Sequence, residues 1–306
     1  MPGLKKIIDV AQVNTLLQRK LLNSNQGVRL LDCSYALAPR QDWRQFEKES
    51  YAKFDLDSSS PSRKLYLSAH IPQARRFFEK YAQKLGLNAG EHLIFYGKGA
   101  FGGMLFASKC AWLFKSYGHE NISLVDGGFD GWKRAGFEVS QEDLRLQPGN
   151  WKAQNAIEKH VITYEELETK ENGSEKQNFE KSDEFNFLDS RGRGQFEGTE
   201  DTGLDPNKVN GTRIAGFKNF PSAELLQKPG ILKSEDEIRQ WFNKNGYNPS
   251  LPTVTSCNSG VQAALLAFVM DWALPESRPR LFNGSLKEVE LRDPKKISEG
   301  PQHLPH

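Results

Sequence analysis

The residues of clearest chemical interest lie between the run Thr253–Ser256, whose β-branched residues predict a strand, and Ala263–Ala273, which predicts a helix. Main-chain N–H groups from a tight turn and a first helical turn would converge there on a cysteine sulfur. With the helix macrodipole, they stabilise a thiolate, the nucleophilic form. We therefore predict a nucleophilic Cys257 rather than a merely buried small residue. The intervening loop is Cys257-Asn258-Ser259-Gly260-Val261-Gln262.

Two other cysteine chemistries fit this loop poorly. Cysteine-dependent phosphatases and arsenate reductases need an arginine six positions after the cysteine to clamp an oxyanion, and Ala263 occupies that position. A papain-like protease needs a partner histidine, and the second half offers only His160 before its last residues. What remains is a cradle of main-chain amides and small polar side chains, which suits a persulfide.

The elements that position the loop alternate between short strands and helices. In the first half, strands are predicted at Val28–Leu31, His92–Tyr96 and Ile122–Val125, with a helix over Met104–Tyr117. The second half repeats this order, starting with a strand at Phe185–Leu188. We therefore predict an α/β fold of two tandem, duplicated domains, each a small parallel sheet flanked by helices.

Composition and charge set the domain boundaries and the class of protein. We assign residues 1–140 and 161–290 to the two domains, 141–160 to a surface linker, 169–184 to an exposed loop and 291–306 to a frayed tail. Lysine and arginine total 41 against 39 acidic residues, so neither nucleic acid nor membrane is an expected partner. Three widely spaced cysteines fit neither disulfides nor zinc. With no targeting segment, we expect a cytoplasmic protein, a mitochondrial location being left open.

Several further segments carry a family resemblance: Leu30–Tyr35, Ala69–Ala74, Tyr117–Val139, Phe187–Arg191, Phe196–Glu200 and Leu281–Leu286. In this order they resemble the signatures of the two-domain rhodanese family of thiosulfate and 3-mercaptopyruvate sulfurtransferases. The resemblance implies that Cys257 takes a sulfane sulfur from either donor as a persulfide and passes it to cyanide, a thiol or thioredoxin, without a metal or organic cofactor. It also implies an inactive first domain, in which the position of Cys257 falls near Gly97.

The resemblance also supplies candidate substrate-binding residues and points out departures. The uncharged Asn258, Ser259 and Gly260 are closer to the mercaptopyruvate type, and Ser259 is either a proton donor or a turn hydroxyl. Gln195 stands where the family has a substrate-binding arginine. These departures from the family pattern leave open the alternative that the chain is a non-catalytic or persulfide-sensing interaction protein. The remaining candidates are Arg191, the extra cation Arg193 and the first-domain His70.

Overall fold

The computed structural model describes residues 3–34, 72–140, 146–170 and 176–300, with 72–74 described for the backbone alone. His70, a predicted site residue, lies outside these ranges. Within them, no helix is both long and apolar enough to cross a membrane. The same residues contain no group of three or more potential metal ligands.

The first half consists of four strands, in the part of the chain described, and the helices that connect them. The elements are β1 (Ile7–Asp9), α1 (Val10–Gln18), β2 (Val28–Asp32), α2 (Pro72–Lys84), β3 (His92–Tyr96), α3 (Met104–Ser116), β4 (Ile122–Asp126) and α4 (Gly128–Arg134). All the predicted strands and the predicted helix of this half are present, and β1 is an additional strand.

The second half has more and shorter elements. They are α5 (Ile157–His160), β5 (Val161–Ile162), α6 (Tyr164–Glu168), β6 (Asn186–Asp189), α7 (Arg193–Glu197), β7 (Arg213–Ile214), β8 (Lys218–Asn219), β9 (Leu226–Lys228), β10 (Ile231–Leu232), α8 (Glu235–Lys244), β11 (Thr253–Ser256), α9 (Val261–Ala273), β12 (Arg280–Phe282), α10 (Ser285–Arg292) and β13 (Ile297–Glu299).

The two main sheets share one strand order. The first sheet runs β1-β4-β3-β2, and the second runs β5-β12-β11-β6-β8. Every neighbouring pair in both sheets is parallel. β1, β4, β3 and β2 therefore correspond to β5, β12, β11 and β6, and β8 is an added edge strand. The structure confirms the α/β class, and the shared order is what an internal duplication produces.

The two halves pack through α3 and α9, the helices that follow corresponding strands. Nine of the thirteen residues of α9 are buried and the other four are half-buried, which explains why most of its sequence is apolar. Ala263 and Phe268 of α9 belong to the same apolar cluster as Ala107 and Trp112 of α3. Helix α9 and the cysteine loop before it are therefore covered by the first half.

The predicted surface linker is wrong at its centre. Trp151 is only 1% exposed, and its indole Nε1 donates to His119 Nδ1 at 3.1 Å. The Trp151 main-chain N–H also bonds Leu87 O at 3.0 Å. The segment is polar on average, but a single large aromatic ring anchors it in the core of the first half.

The exposed loop and the frayed tail also need correction. Phe179, inside the predicted exposed loop, is buried against Tyr164. In the tail, β13 pairs antiparallel with β7, and Ile297 is buried. Each of these residues depends on a partner distant along the chain, which local composition does not reveal. Residues 301–306 lie outside the described part.

Candidate active site

The cysteine loop is shaped by a left-handed turn at Gly260. Gly260 has φ +77° and precedes the first residue of α9. A Cβ at this position would lie 2.5 Å from Asn283 O, so only glycine fits. The turn directs the Gly260 N–H at Cys257 Sγ, with an N···S distance of 3.0 Å. One of the predicted main-chain contacts to the sulfur, that of the Gly260 N–H in the turn, is therefore present.

The loop is held on its other side by the start of α10. The main-chain N–H of Cys257 donates to Ser285 Oγ at 3.1 Å, and this hydroxyl donates to Phe282 O at 2.8 Å. The N–H of Leu286 bonds Cys257 O at 3.0 Å, and that of Lys287 bonds Asn258 O at 2.9 Å. The segment Leu281–Leu286, which resembles a family signature, thus helps to fix the backbone of the loop that carries Cys257.

The remaining loop side chains differ in exposure. Cys257 is 2% exposed, Ser259 is exposed, and Val261 and Gln262 are half-buried. Asn258 Nδ2 donates to Thr202 O at 3.0 Å, whereas its buried Oδ1 has no hydrogen-bond partner. The loop therefore meets solvent at Ser259, and the sulfur lies beneath it.

Arg191 lies in the protein interior. Its guanidinium has no exposed surface and forms a bidentate ion pair with Asp189, through Nε–Oδ1 at 3.0 Å and Nη2–Oδ2 at 2.7 Å. Nη2 also donates to Thr212 O at 2.8 Å. Arg191 stabilises the turn after β6 in this way, and its buried Nη1 has no hydrogen-bond partner. That Arg191 binds substrate stays a prediction.

Arg193 and Gln195 both lie on the short helix α7 and both have protein partners. The Arg193 guanidinium, about half exposed, pairs with both carboxylate oxygens of Glu224, at 2.5 and 2.8 Å. Gln195 Nε2 donates to Asp201 O at 3.1 Å. Arg193 is therefore engaged by an acidic neighbour, so a substrate has to compete with Glu224 for its charge.

Sequence reasoning missed a lysine of the first half that reaches the loop. Lys109 lies on α3, and its Nζ donates to Gly260 O at 3.1 Å and to Asn283 Oδ1. Burial lowers the pKa of the Lys109 ammonium to about 7, and charge on Cys257 and Cys110 opposes this shift. The signal in the sequence is a lysine within the mostly apolar run Met104–Phe114, where a partner has to be supplied by the fold.

The first half carries a counterpart of the cysteine loop without a nucleophile. Gly97 follows β3 directly, as Cys257 follows the corresponding strand β11. A Cβ at Gly97 would lie 2.7 Å from Gly103 O, so the loop closes on itself there. In the first half, which the resemblance predicts to be inactive, a glycine therefore stands at the position that corresponds to Cys257.

These features define a tandem α/β protein whose second half presents a cysteine at the amino end of a helix. A family profile described as the rhodanese-like domain matches residues 19–135. A Caenorhabditis elegans protein named as a thiosulfate sulfurtransferase is 62% identical over 99% of this chain and 100% of its own. Human 3-mercaptopyruvate sulfurtransferase is 32% identical over 90% of both chains. The chain belongs to the two-domain rhodanese family of sulfurtransferases.

Solved structures agree on the fold. The yeast Tum1 protein superposes with a TM-score of 0.71 at 20% identity, covering 99% of this chain and 100% of that one. The SseA 3-mercaptopyruvate enzyme of Escherichia coli superposes with a TM-score of 0.67, also at 20% identity, covering 92% and 99%. Sequence relatives with enzyme names support an enzyme and do not favour the interaction-protein alternative.

Proposed function

We propose that Cys257 carries sulfur between a small anionic donor and a nucleophilic acceptor. The thiolate attacks the sulfane sulfur of thiosulfate or the thiol sulfur of 3-mercaptopyruvate, forming a persulfide as sulfite or pyruvate leaves. The acceptor then takes the outer sulfur and regenerates the thiolate. The observation that carries the proposal is the Gly260 N–H at 3.0 Å from Cys257 Sγ, which can stabilise negative charge on sulfur in both steps.

The charge of the loop supports 3-mercaptopyruvate as the preferred donor. No cationic side chain occurs between Asn258 and Gln262. Thiosulfate is a compact dianion that benefits most from nearby cations, whereas mercaptopyruvate is a monoanion with a keto group that a hydroxyl such as Ser259 can contact. A small thiol, cyanide or thioredoxin would reach the persulfide through the side of the loop that Ser259 exposes to solvent. Free thiols at all three cysteines suit the reducing cytoplasm.

Mass spectrometry of peptides from the treated protein tests the proposal. Incubation with either donor, in the absence of an acceptor, should add one sulfur atom to the peptide that contains Cys257. Subsequent cyanide should remove it and release one equivalent of thiocyanate. Loading of sulfur at Cys33 or Cys110 instead, with Cys257 unmodified, would contradict the assignment.

The pair Arg193 and Gln195 yields a prediction on substrate affinity. Gln195→Arg should raise kcat/KM with both donors by about tenfold or more, because a charge-assisted hydrogen bond contributes roughly 1.5–3 kcal/mol and a neutral one less. Arg193→Ala should change kcat/KM by less than about threefold, because Glu224 already holds its guanidinium.

Steady-state kinetics of both variants and their combination check this prediction. Gln154→Arg adds the same charge at an exposed position of the first half and serves as the control. A severe loss on Arg193→Ala would instead show that Arg193 leaves Glu224 to bind the donor.

A further inference from the structure

A buried lysine of the inactive half contacts the active loop of the other half. Lys109 is only 5% exposed, and its ammonium donates to Gly260 O at 3.1 Å and to Asn283 Oδ1. Gly260 is also the residue whose N–H contacts Cys257 Sγ. One side chain of α3 is therefore connected to the nucleophile through a single residue, across 151 positions of sequence.

This lysine is costly to bury, which indicates that it compensates a charge. An isolated ammonium in an apolar interior loses several kcal/mol of solvation, and an apolar side chain of similar length would avoid that loss. The Trp112 ring, 4.3 Å from Nζ to its centroid, is an additional contact but carries no formal charge. The loop side chains from Asn258 to Gln262 contribute no cation of their own.

We propose that Lys109 is the positioning residue and counter-charge of the cysteine loop, holding Gly260 in its left-handed turn and stabilising the Cys257 thiolate and persulfide anion from across the domain boundary. The persulfide part rests on the proposed function. The thiolate part does not, because it concerns the resting enzyme.

The pH dependence follows from the groups around Lys109. Cys257, from the loop after β11, and Cys110, on its own helix, are the titratable groups that act on it. Asn283, from the loop after β12, and Trp112 are neutral. Lys109 is charged below its pKa, so the cation is lost as pH rises past about 7. The attraction that Lys109 exerts on an anionic reagent should therefore weaken as pH rises past about 7.

Alkylation of Cys257 with a neutral and an anionic reagent tests the counter-charge role of Lys109 without any sulfur donor. Rates with iodoacetamide and iodoacetate are followed on the Cys257 peptide by mass spectrometry. Lys109→Met should lower the iodoacetate-to-iodoacetamide rate ratio about tenfold at pH 6.5, and the fall of this ratio with rising pH in the wild type should disappear. With a donor, kcat/KM should fall about ten- to a hundredfold.

Lys115→Met is the matched control. Lys115 lies on the same helix, and its Nζ forms an ion pair with Asp271 Oδ2 of α9 at 2.6 Å, outside the cysteine loop. It should leave the rate ratio unchanged. Lys109→Gln retains a hydrogen-bond donor without charge, and it repeats the measurement if Lys109→Met does not fold. An unchanged rate ratio and pH profile in the folded variant would overturn the proposal. A lowered ratio without turnover of any donor would support Lys109 and reject the sulfur-transfer proposal instead.

Discussion

Cys257→Ser should abolish sulfur transfer, lowering turnover by on the order of 10⁴-fold or more, while leaving the fold intact. A serine hydroxyl is not ionised near neutral pH and cannot form a persulfide. The hydrogen bond from Gly260 N can still be made to an oxygen, so the loop keeps its shape. Thiocyanate release from either donor measures the loss, and thermal unfolding verifies the fold.

The other cysteines provide the controls for this experiment. A hydrogen bond with Cys110 and then burial raise the pKa of Cys33 well above its ordinary value, so Cys33 is a poor nucleophile near neutral pH. Cys33→Ser and Cys110→Ser should therefore retain most of the activity. Full turnover by Cys257→Ser would place the nucleophile elsewhere and remove the basis of the proposed mechanism.

Gly260→Ala should lower kcat/KM by about a hundredfold or more. The new Cβ would lie 2.5 Å from Asn283 O and 2.9 Å from Lys109 Nζ, so the turn has to open and the N–H contact to the sulfur is lost. The left-handed conformation alone costs a non-glycine residue roughly 1–2 kcal/mol of folding free energy. Kinetics and urea unfolding measured on the same preparation separate the two effects.

Gly246→Ala is the matched control for this substitution. Gly246 has the same φ of +77°, and a Cβ there meets no atom within 4 Å. Because of its left-handed conformation, the Gly246→Ala variant should lose roughly 1–2 kcal/mol of free energy of unfolding, and it should keep full activity. Equal kinetic losses in the two variants would mean that global stability, and not the shape of the cysteine loop, limits the rate.

Local patterns in the sequence were enough to predict the main strands and the loop. The strands His92–Tyr96 and Thr253–Ser256 have the predicted bounds, because buried β-branched and aromatic runs end there at glycine or cysteine turns. β1 was not predicted, because it is only three residues long and is stabilised by pairing with β4, over 110 residues away.

Contacts between distant segments account for what the sequence did not reveal at the site. The charge of Arg193 suggested a substrate ligand, but Glu224, 31 positions later, holds it. The burial of Arg191 was not predicted either, and it depends in part on Thr212 O, 21 positions later. Lys109 has no motif at all and becomes important only because α3 packs beside the loop after β11.

The burial of Cys257 has a consequence for the lifetime of the enzyme. Oxidation of a cysteine to sulfenic and then irreversible sulfinic acid depends on thiolate character and on access to the oxidant. At 2% exposure, beneath its loop and beside the first half, the resting sulfur is shielded from peroxide as well as from water. The packing that limits access to the Cys257 sulfur therefore also protects it from oxidation.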